Sequence, residues 1–336
     1  MKRIVICGAI YDTPSGPSGQ SGKLYTALKE EGYTVFKKSR FKNKILRPLD
    51  ILFFIIFNHK KYDIIIMQVA SYKAFIINVL TVFVGRILKK QTIALIEGGA
   101  FVEFYSKYPR FVFPILNKAN ILLSPSNFIT NFLNDKNLKV TYLPNFIDIQ
   151  KFAFIWKPNN EIKLLWVRAF NDVYKPEMAI NAVHKLKTMF PEITLTMVGP
   201  DLGKLKHCKH LIKSLQLTDQ ITITGPIPNN HLNSIYGNHT IYLNTTSYES
   251  FGVALVEAAC SGIPIVTTNV GEIPYNWIHR EEILMVKDNN LEDFVSQILA
   301  LLKDRDLQLK LSQNARNKAE KFDWNHVKNT WYQLLN

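Results

Sequence analysis

The run from Tyr248 to Val266 reads YESFGVALVEAACSGIPIV, and the rest of the chain is organised around it. Glu249 and Glu257 stand eight residues apart, and nearly everything between and after them is apolar or small. No proline interrupts the run, and Gly262 followed by Pro264 closes it as a helix commonly ends. Apolar residues fall on every side of such a helix, so it is expected to be buried. At about 100° per residue the two glutamates lie roughly 80° apart and point toward one ligand. Phe251, Gly252 and Val253 would present unpaired N–H groups at the helix start, a ready site for phosphate, and Gly252 admits a close ligand. A core helix with Glu257 paired to an arginine and Glu249 as a cap is the plainer alternative.

From residue 163 onward, strands and helices alternate as in an open α/β sheet. Strands are expected at 163–167, 194–198, 221–224, 240–244, 264–267 and 283–286. The turn WVRAFNDVYKPEMAI puts Arg168 at the end of the first of these and Lys175 just before a helix that starts at Pro176. Gly199 in MVGPD, and Pro226 with Ile227 in ITGPIP, occupy strand-end loops, where open α/β sheets bind ligands.

Together these segments resemble the retaining glycosyltransferases of family 4, whose motif is Glu-x7-Glu. The resemblance implies a GT-B fold: two Rossmann-like domains facing a central cleft, with a C-terminal helix returning to the first. Its boundaries would be 1–150 plus about 322–336 for the acceptor domain, and 151–321 for the nucleotide-sugar donor domain. It implies that Arg168 and Lys175 act on the donor diphosphate, with Arg suited to bidentate contact and Lys acting as a point charge. Glu249 would meet the sugar hydroxyls, Glu257 the ribose, and Pro226–Ile227 the base. The amides near Phe251, Gly252 and Val253 would share the diphosphate, so no metal or other cofactor is expected.

The first half is expected to carry strands over 3–8, 34–36, 63–68, 92–96 and 121–124, with helices at 20–31, 72–88 and 127–134, the last capped by Ser126. Its loop AIYDTPSGPSGQSG, residues 9–22, fails as a P-loop, because Pro17 and Leu24 stand where a glycine and a Ser/Thr are required. It resembles the first loop of family 4, in which Gly19 and Gly22 would approach the donor. Where many members of that family carry a histidine after a strand, the nearest position here holds Glu97.

Composition narrows the class further. The chain of 336 residues is 47% hydrophobic and 20% charged, which is globular. Cys7, Cys208 and Cys260 are odd in number and far apart, which argues against a disulfide framework. His207, Cys208 and His210 are too tightly spaced for a tetrahedral metal site. Asp304-Arg305-Asp306 reads as capping and surface charge. No signal segment is expected at the start, and the longest apolar runs fall short of the ~20 residues that span a bilayer.

The net charge is +14, and residues 1–150 hold 21 Lys/Arg against 9 Asp/Glu. Six basic residues and no acid lie between Lys37 and Arg47, and the apolar run from Leu49 to Phe57 follows. The stretch from Lys37 to Phe57 is therefore expected to meet an anionic membrane surface, with a cytoplasmic protein held there peripherally. The plainer alternative is that Leu49–Phe57 packs into the core and the basic run is a solvated face. The expected reaction is retaining transfer of a sugar from a nucleotide diphosphate sugar to a glycan or lipid-linked acceptor in bacterial surface polysaccharide synthesis. Two rivals are a sugar-nucleotide epimerase of the same fold and a basic nucleic-acid-binding protein. The second lacks any recognisable RNA or DNA module, so no nucleic acid is expected as partner.

Overall fold

Short runs such as IVIC, IIIMQ and KLLWV lack the alternation of a half-exposed strand, and they form sheets covered on both faces. The computed structural model describes residues 2–10, 12–13, 16–17, 19–39, 41, 43, 46–156, 161–287 and 289–336. Arg40, Lys42 and Lys44 of the basic run lie outside the described residues.

The chain divides into two units, residues 1–146 with 324–336, and residues 147–323. The first unit holds a parallel sheet of β1 (Ile4–Cys7), β2 (Val35–Lys38), β3 (Ile64–Gln68), β4 (Gln91–Leu95), β5 (Ile121–Ser124) and β6 (Val140–Tyr142). Its strand order is β2-β1-β3-β4-β5-β6. The second unit holds β7 (Lys163–Val167), β8 (Thr194–Val198), β9 (Ile221–Gly225), β10 (Ile241–Asn244), β11 (Ile265–Thr268) and β12 (Leu284–Val286), in the order β9-β8-β7-β10-β11-β12. The order reverses beside the first strand of each unit, which leaves a crevice at the C-terminal ends of the strands.

The helix Trp324–Leu335 belongs to the first unit. Val327, Trp331 and Leu335 fill the core layer built by Ile4, Ile6 and Leu28. Three donors converge on Glu31 to hold it: Trp324 Nε1 at 3.0 Å, Lys328 Nζ at 3.3 Å and the Tyr332 hydroxyl. Asp323, directly before this helix, accepts from the Ile149 N–H at 3.2 Å.

Three local expectations change. The motif helix begins at Val253, because Gly252 takes a left-handed conformation (φ 88°). Glu249 therefore precedes the helix, and the 80° relation does not hold. Gly22 lies buried inside the helix Gly19–Glu30, so only Gly19 stands at the loop's end. The run from Leu49 to Phe57 is part of a helix, Leu46–Phe57, that does two things at once. Ile51 and Ile55 enter the core, while Leu49, Phe53, Ile56 and Phe57 stay exposed.

Candidate active site of the second unit

The motif helix, Val253–Ser261, is buried over all of Ala254 to Ser261. It packs on the helix Arg305–Glu320 through Ala315 and Ala319, and Ser312 Oγ donates to the Gly262 carbonyl at 2.7 Å. Asp304 caps that second helix, its side chain accepting from the Leu307 N–H at 2.8 Å. A fixed helix of this kind holds its N-terminal end at the C-terminal edge of the sheet.

At that edge the structure brings Arg168 and Glu249 together. Arg168 Nη2 donates to Glu249 Oε2 at 2.6 Å, and the two side chains are 9% and 10% exposed. Arg168 Nε donates to Asn244 Oδ1 at 3.1 Å, and Asn244 Nδ2 donates to Thr267 Oγ1 at 2.9 Å. The ends of β7, β10 and β11 thus build one polar network. Burial opposes the Arg168 charge, but Glu249 and the neighbouring tyrosines outweigh it and raise its pKa. The Tyr174 ring lies 5.2 Å from the guanidinium and adds a cation–π contact.

Two glycines make this packing sterically feasible. A Cβ on Gly199 would meet the Arg168 carbonyl oxygen at 1.8 Å, and one on Gly271 would meet the Glu249 carbonyl oxygen at 2.2 Å. The latter carbonyl accepts from the Glu272 N–H at 2.9 Å, which fixes the chain just before the helix. Among the described residues, the N–H groups of Phe251, Gly252 and Val253 have no hydrogen-bond partner. These amides and the preformed Arg168–Glu249 pair can receive an anion.

The remaining residues singled out from sequence are placed as follows. Glu257 is 8% exposed and accepts from the Tyr236 hydroxyl at 3.4 Å. Tyr236 is fully buried, and burial together with Glu257 pushes its pKa well up. Lys175 takes a left-handed conformation (φ 42°), and its Nζ reaches Asn289 Oδ1 at 2.7 Å. It lines an open pocket with Asp172, Glu177, Asn181 and Lys204, a set that does not include Arg168. Gly199 N–H donates to the Gly225 carbonyl at 3.0 Å, joining the loop after β8 to the end of β9. Pro226 is exposed there and Ile227 half-buried. Asn244 and Tyr236 were not foreseen. Asn244 had a signal, a polar run NTTS directly after an apolar strand, whereas Tyr236 had none.

In the first unit, Gly19 is exposed at the start of its helix, and Glu97 follows β4 in a small cavity lined also by Gln20, Ser124, Asn145 and Trp331. Burial pushes the Glu97 carboxyl up to about 7, although Gln68 Nε2 donates to it at 3.1 Å and favours the ionised form. Among the described residues, no three His, Cys, Asp or Glu gather as metal ligands.

The two six-stranded parallel sheets define a GT-B protein. Sucrose-phosphate synthase from Thermosynechococcus elongatus superposes with a TM-score of 0.81 at 18% identity, covering 99% of this chain and 98% of that one. Anabaena HepE in complex with UDP gives 0.78 at 16% identity, covering 99% of both chains. Residues 148–318 match the model of the glycosyl transferases group 1 family, half of the chain, and the protein belongs to that family. Among curated relatives, D-inositol 3-phosphate glycosyltransferase of Corynebacterium kroppenstedtii is 24% identical over 155 residues, 44% of this chain and 34% of its own. The chain spans about a third of the length of such relatives.

Proposed function

We propose that the protein is a retaining glycosyltransferase that moves a sugar from a nucleotide diphosphate sugar to a glycan or lipid-linked acceptor. The observation that carries this reading is the buried Arg168–Glu249 pair beside the open amides of Phe251, Gly252 and Val253, in a chain of the glycosyl transferases group 1 family. As the sugar departs, negative charge grows on the diphosphate. Arg168 and the helix-start amides, already oriented before the reaction, are the groups suited to receive it, with Lys175 as a further cation. Glu249 Oε2 is taken by Arg168, and among the described residues Oε1 has no partner, leaving it for a sugar hydroxyl. Glu257 takes the ribose hydroxyls, with Pro226 and Ile227 against the base and Gly199 giving room near the phosphates. Transfer then needs no metal, because fixed cations and dipoles do its work.

The acceptor belongs to the surface polysaccharides of a bacterium, and the enzyme works at the cytoplasmic face of the membrane. Among the described residues no helix is long and apolar enough to cross a bilayer, which is compatible with peripheral attachment. The HepE neighbour holds UDP, which makes UDP the first donor base to try.

A thermal-shift panel of UDP, GDP, ADP, CDP and dTDP tests the donor site. One nucleotide at 100 times its Kd should add about 2.7 kcal/mol to stability, and no response to any of the five would overturn the reading. Transfer in EDTA at the rate seen with added magnesium is expected; loss of activity in the chelator would refute the metal-free step.

A further inference from the structure

The helices Leu46–Phe57 and Ile76–Ile87 pack side by side on one face of the first sheet, and both feed the same core. Ile51, Ile55 and Val82 point into that core, so the opposite faces of the two helices share the outer side. Those outer faces are apolar. On the first helix Leu49, Phe53 and Phe57 repeat every fourth residue and are 59%, 63% and 70% exposed. On the second, Ile76, Leu80, Phe83 and Ile87 repeat at helical spacing, from 38% to 78% exposed. The Phe53 and Phe57 rings lie 4.6 Å apart, continuing the stripe without a gap. Half of the 18 large apolar side chains exposed among the described residues sit on these two helices. A soluble surface does not gather its apolar residues in this way without a partner.

Charge says which partner. Residues 46–90 carry seven Lys/Arg against two Asp, and both aspartates are paired, Asp50 with Lys38 and Asp63 with Arg3. The cations sit at the ends of the stripes: Lys60 and Lys61 after the first helix, Lys73 before the second, Arg86 and Lys89 near its end, all exposed. Lys118 Nζ stands 4.6 Å from the centre of the Phe83 ring. An apolar face edged by ammonium and guanidinium groups matches the interface of a bilayer, where acyl chains lie under phosphate. A second copy of a chain with net charge +14 would set the same cations against each other.

We propose that the paired outer faces of the helices Leu46–Phe57 and Ile76–Ile87 dock on an anionic lipid bilayer, with Phe53, Phe57, Phe83 and Ile87 entering the headgroup–acyl boundary. This extends the membrane expectation from one run of sequence to a two-helix surface, half of which lies in a helix that gave no such sign. It stands apart from the donor reading, because vesicle binding is measured without nucleotide.

The test is flotation of the full chain with phosphatidylglycerol-containing and with pure phosphatidylcholine vesicles. The wild type should float only with the anionic vesicles and release as salt rises. Phe53→Ser with Phe57→Ser, and separately Phe83→Ser with Ile87→Ser, should each lower partitioning about tenfold or more. Leu202→Ser, exposed on the second unit, should leave it unchanged. These side chains are exposed, so an unchanged Tm and nucleotide shift are expected in every variant. Equal binding to neutral vesicles, no binding at low salt, or no response to either pair overturns the proposal. So does lipid-independent self-association that the same substitutions abolish.

Discussion

Both sheets are parallel and reverse their strand order beside the first strand of the unit, yet they treat a carboxylate at the C-terminal edge in opposite ways. In the second unit Glu249 meets Arg168, and a buried cation compensates the buried anion. In the first unit the half-buried Glu97 meets, among the described residues, only the neutral amide of Gln68, and its partial burial is answered by holding a proton to about pH 7. Both solutions avoid an unpaired buried charge, which costs several kcal/mol. They leave different chemistry behind. The paired edge keeps a constant local charge, while the unpaired edge titrates near neutrality.

The sharpest way to break this contrast is Arg168→Ala. It strands Glu249 at 10% exposure and should cost about 3–5 kcal/mol in urea denaturation. Adding Glu249→Gln to it should restore part of that loss, since the two changes share one interaction. A cost below ~1 kcal/mol would mean the pair is no more than a surface contact.

Glu97→Gln sharpens the other side. Between pH 4.5, the ordinary value, and about 7, the native state keeps a proton that the unfolded state has released. Wild-type stability relative to Glu97→Gln should therefore fall as pH rises through that window, by at most about 3 kcal/mol in all, and stay flat on either side. A difference independent of pH would show that Glu97 is ionised throughout.

Glu257→Gln separates ligand binding from architecture within the second unit. Gln keeps the shape of the side chain and an oxygen to accept from the Tyr236 hydroxyl, which lies at 3.4 Å, so the apo Tm should barely move. Nucleotide affinity should drop about tenfold as a charge-assisted hydrogen bond becomes a neutral one. A large apo loss with full affinity would make Glu257 a structural group.

The smallest stability effect belongs to Lys175→Ala, expected within ~0.5 kcal/mol because the side chain is half-buried at an open pocket. Affinity for UDP should nevertheless fall about tenfold more than affinity for uridine. Equal losses would place Lys175 away from the diphosphate and leave Arg168 as the site's cation.

These two edges were also unequally readable. The second unit's site is concentrated in one run, and its glutamates, glycines and flanking strand stand in fixed spacing that no surface helix needs. Even so, the helix begins only at Val253, too late to include Glu249, because the left-handed turn at Gly252 is a backbone event and the residues before it look helical. The partner of Glu249 was missed because Arg168 lies 81 residues away and only the sheet order joins them. The first unit offers no such run. Glu97, Gln68, Gln20 and Asn145 come from four separate segments, a strand end, a helix start and two loops, with no shared spacing to mark them. The outer face of the helix Ile76–Ile87 was equally silent, since a stripe of apolar residues at helical spacing reads the same whether it faces core or solvent.

The helix Trp324–Leu335 has a consequence for synthesis on the ribosome. Residues 1–146 emerge first, yet their core lacks Val327, Trp331 and Leu335 until the far end of residues 147–323 has been made. At ordinary elongation rates that interval is roughly ten to thirty seconds. During it Ile4, Ile6 and Leu28 have no cover on one side, whereas the second unit, continuous in sequence, closes as soon as it is out. The part begun first is finished last, and a nascent chain stalled before Trp324 would give a protease-resistant second unit joined to a first one still open to cleavage.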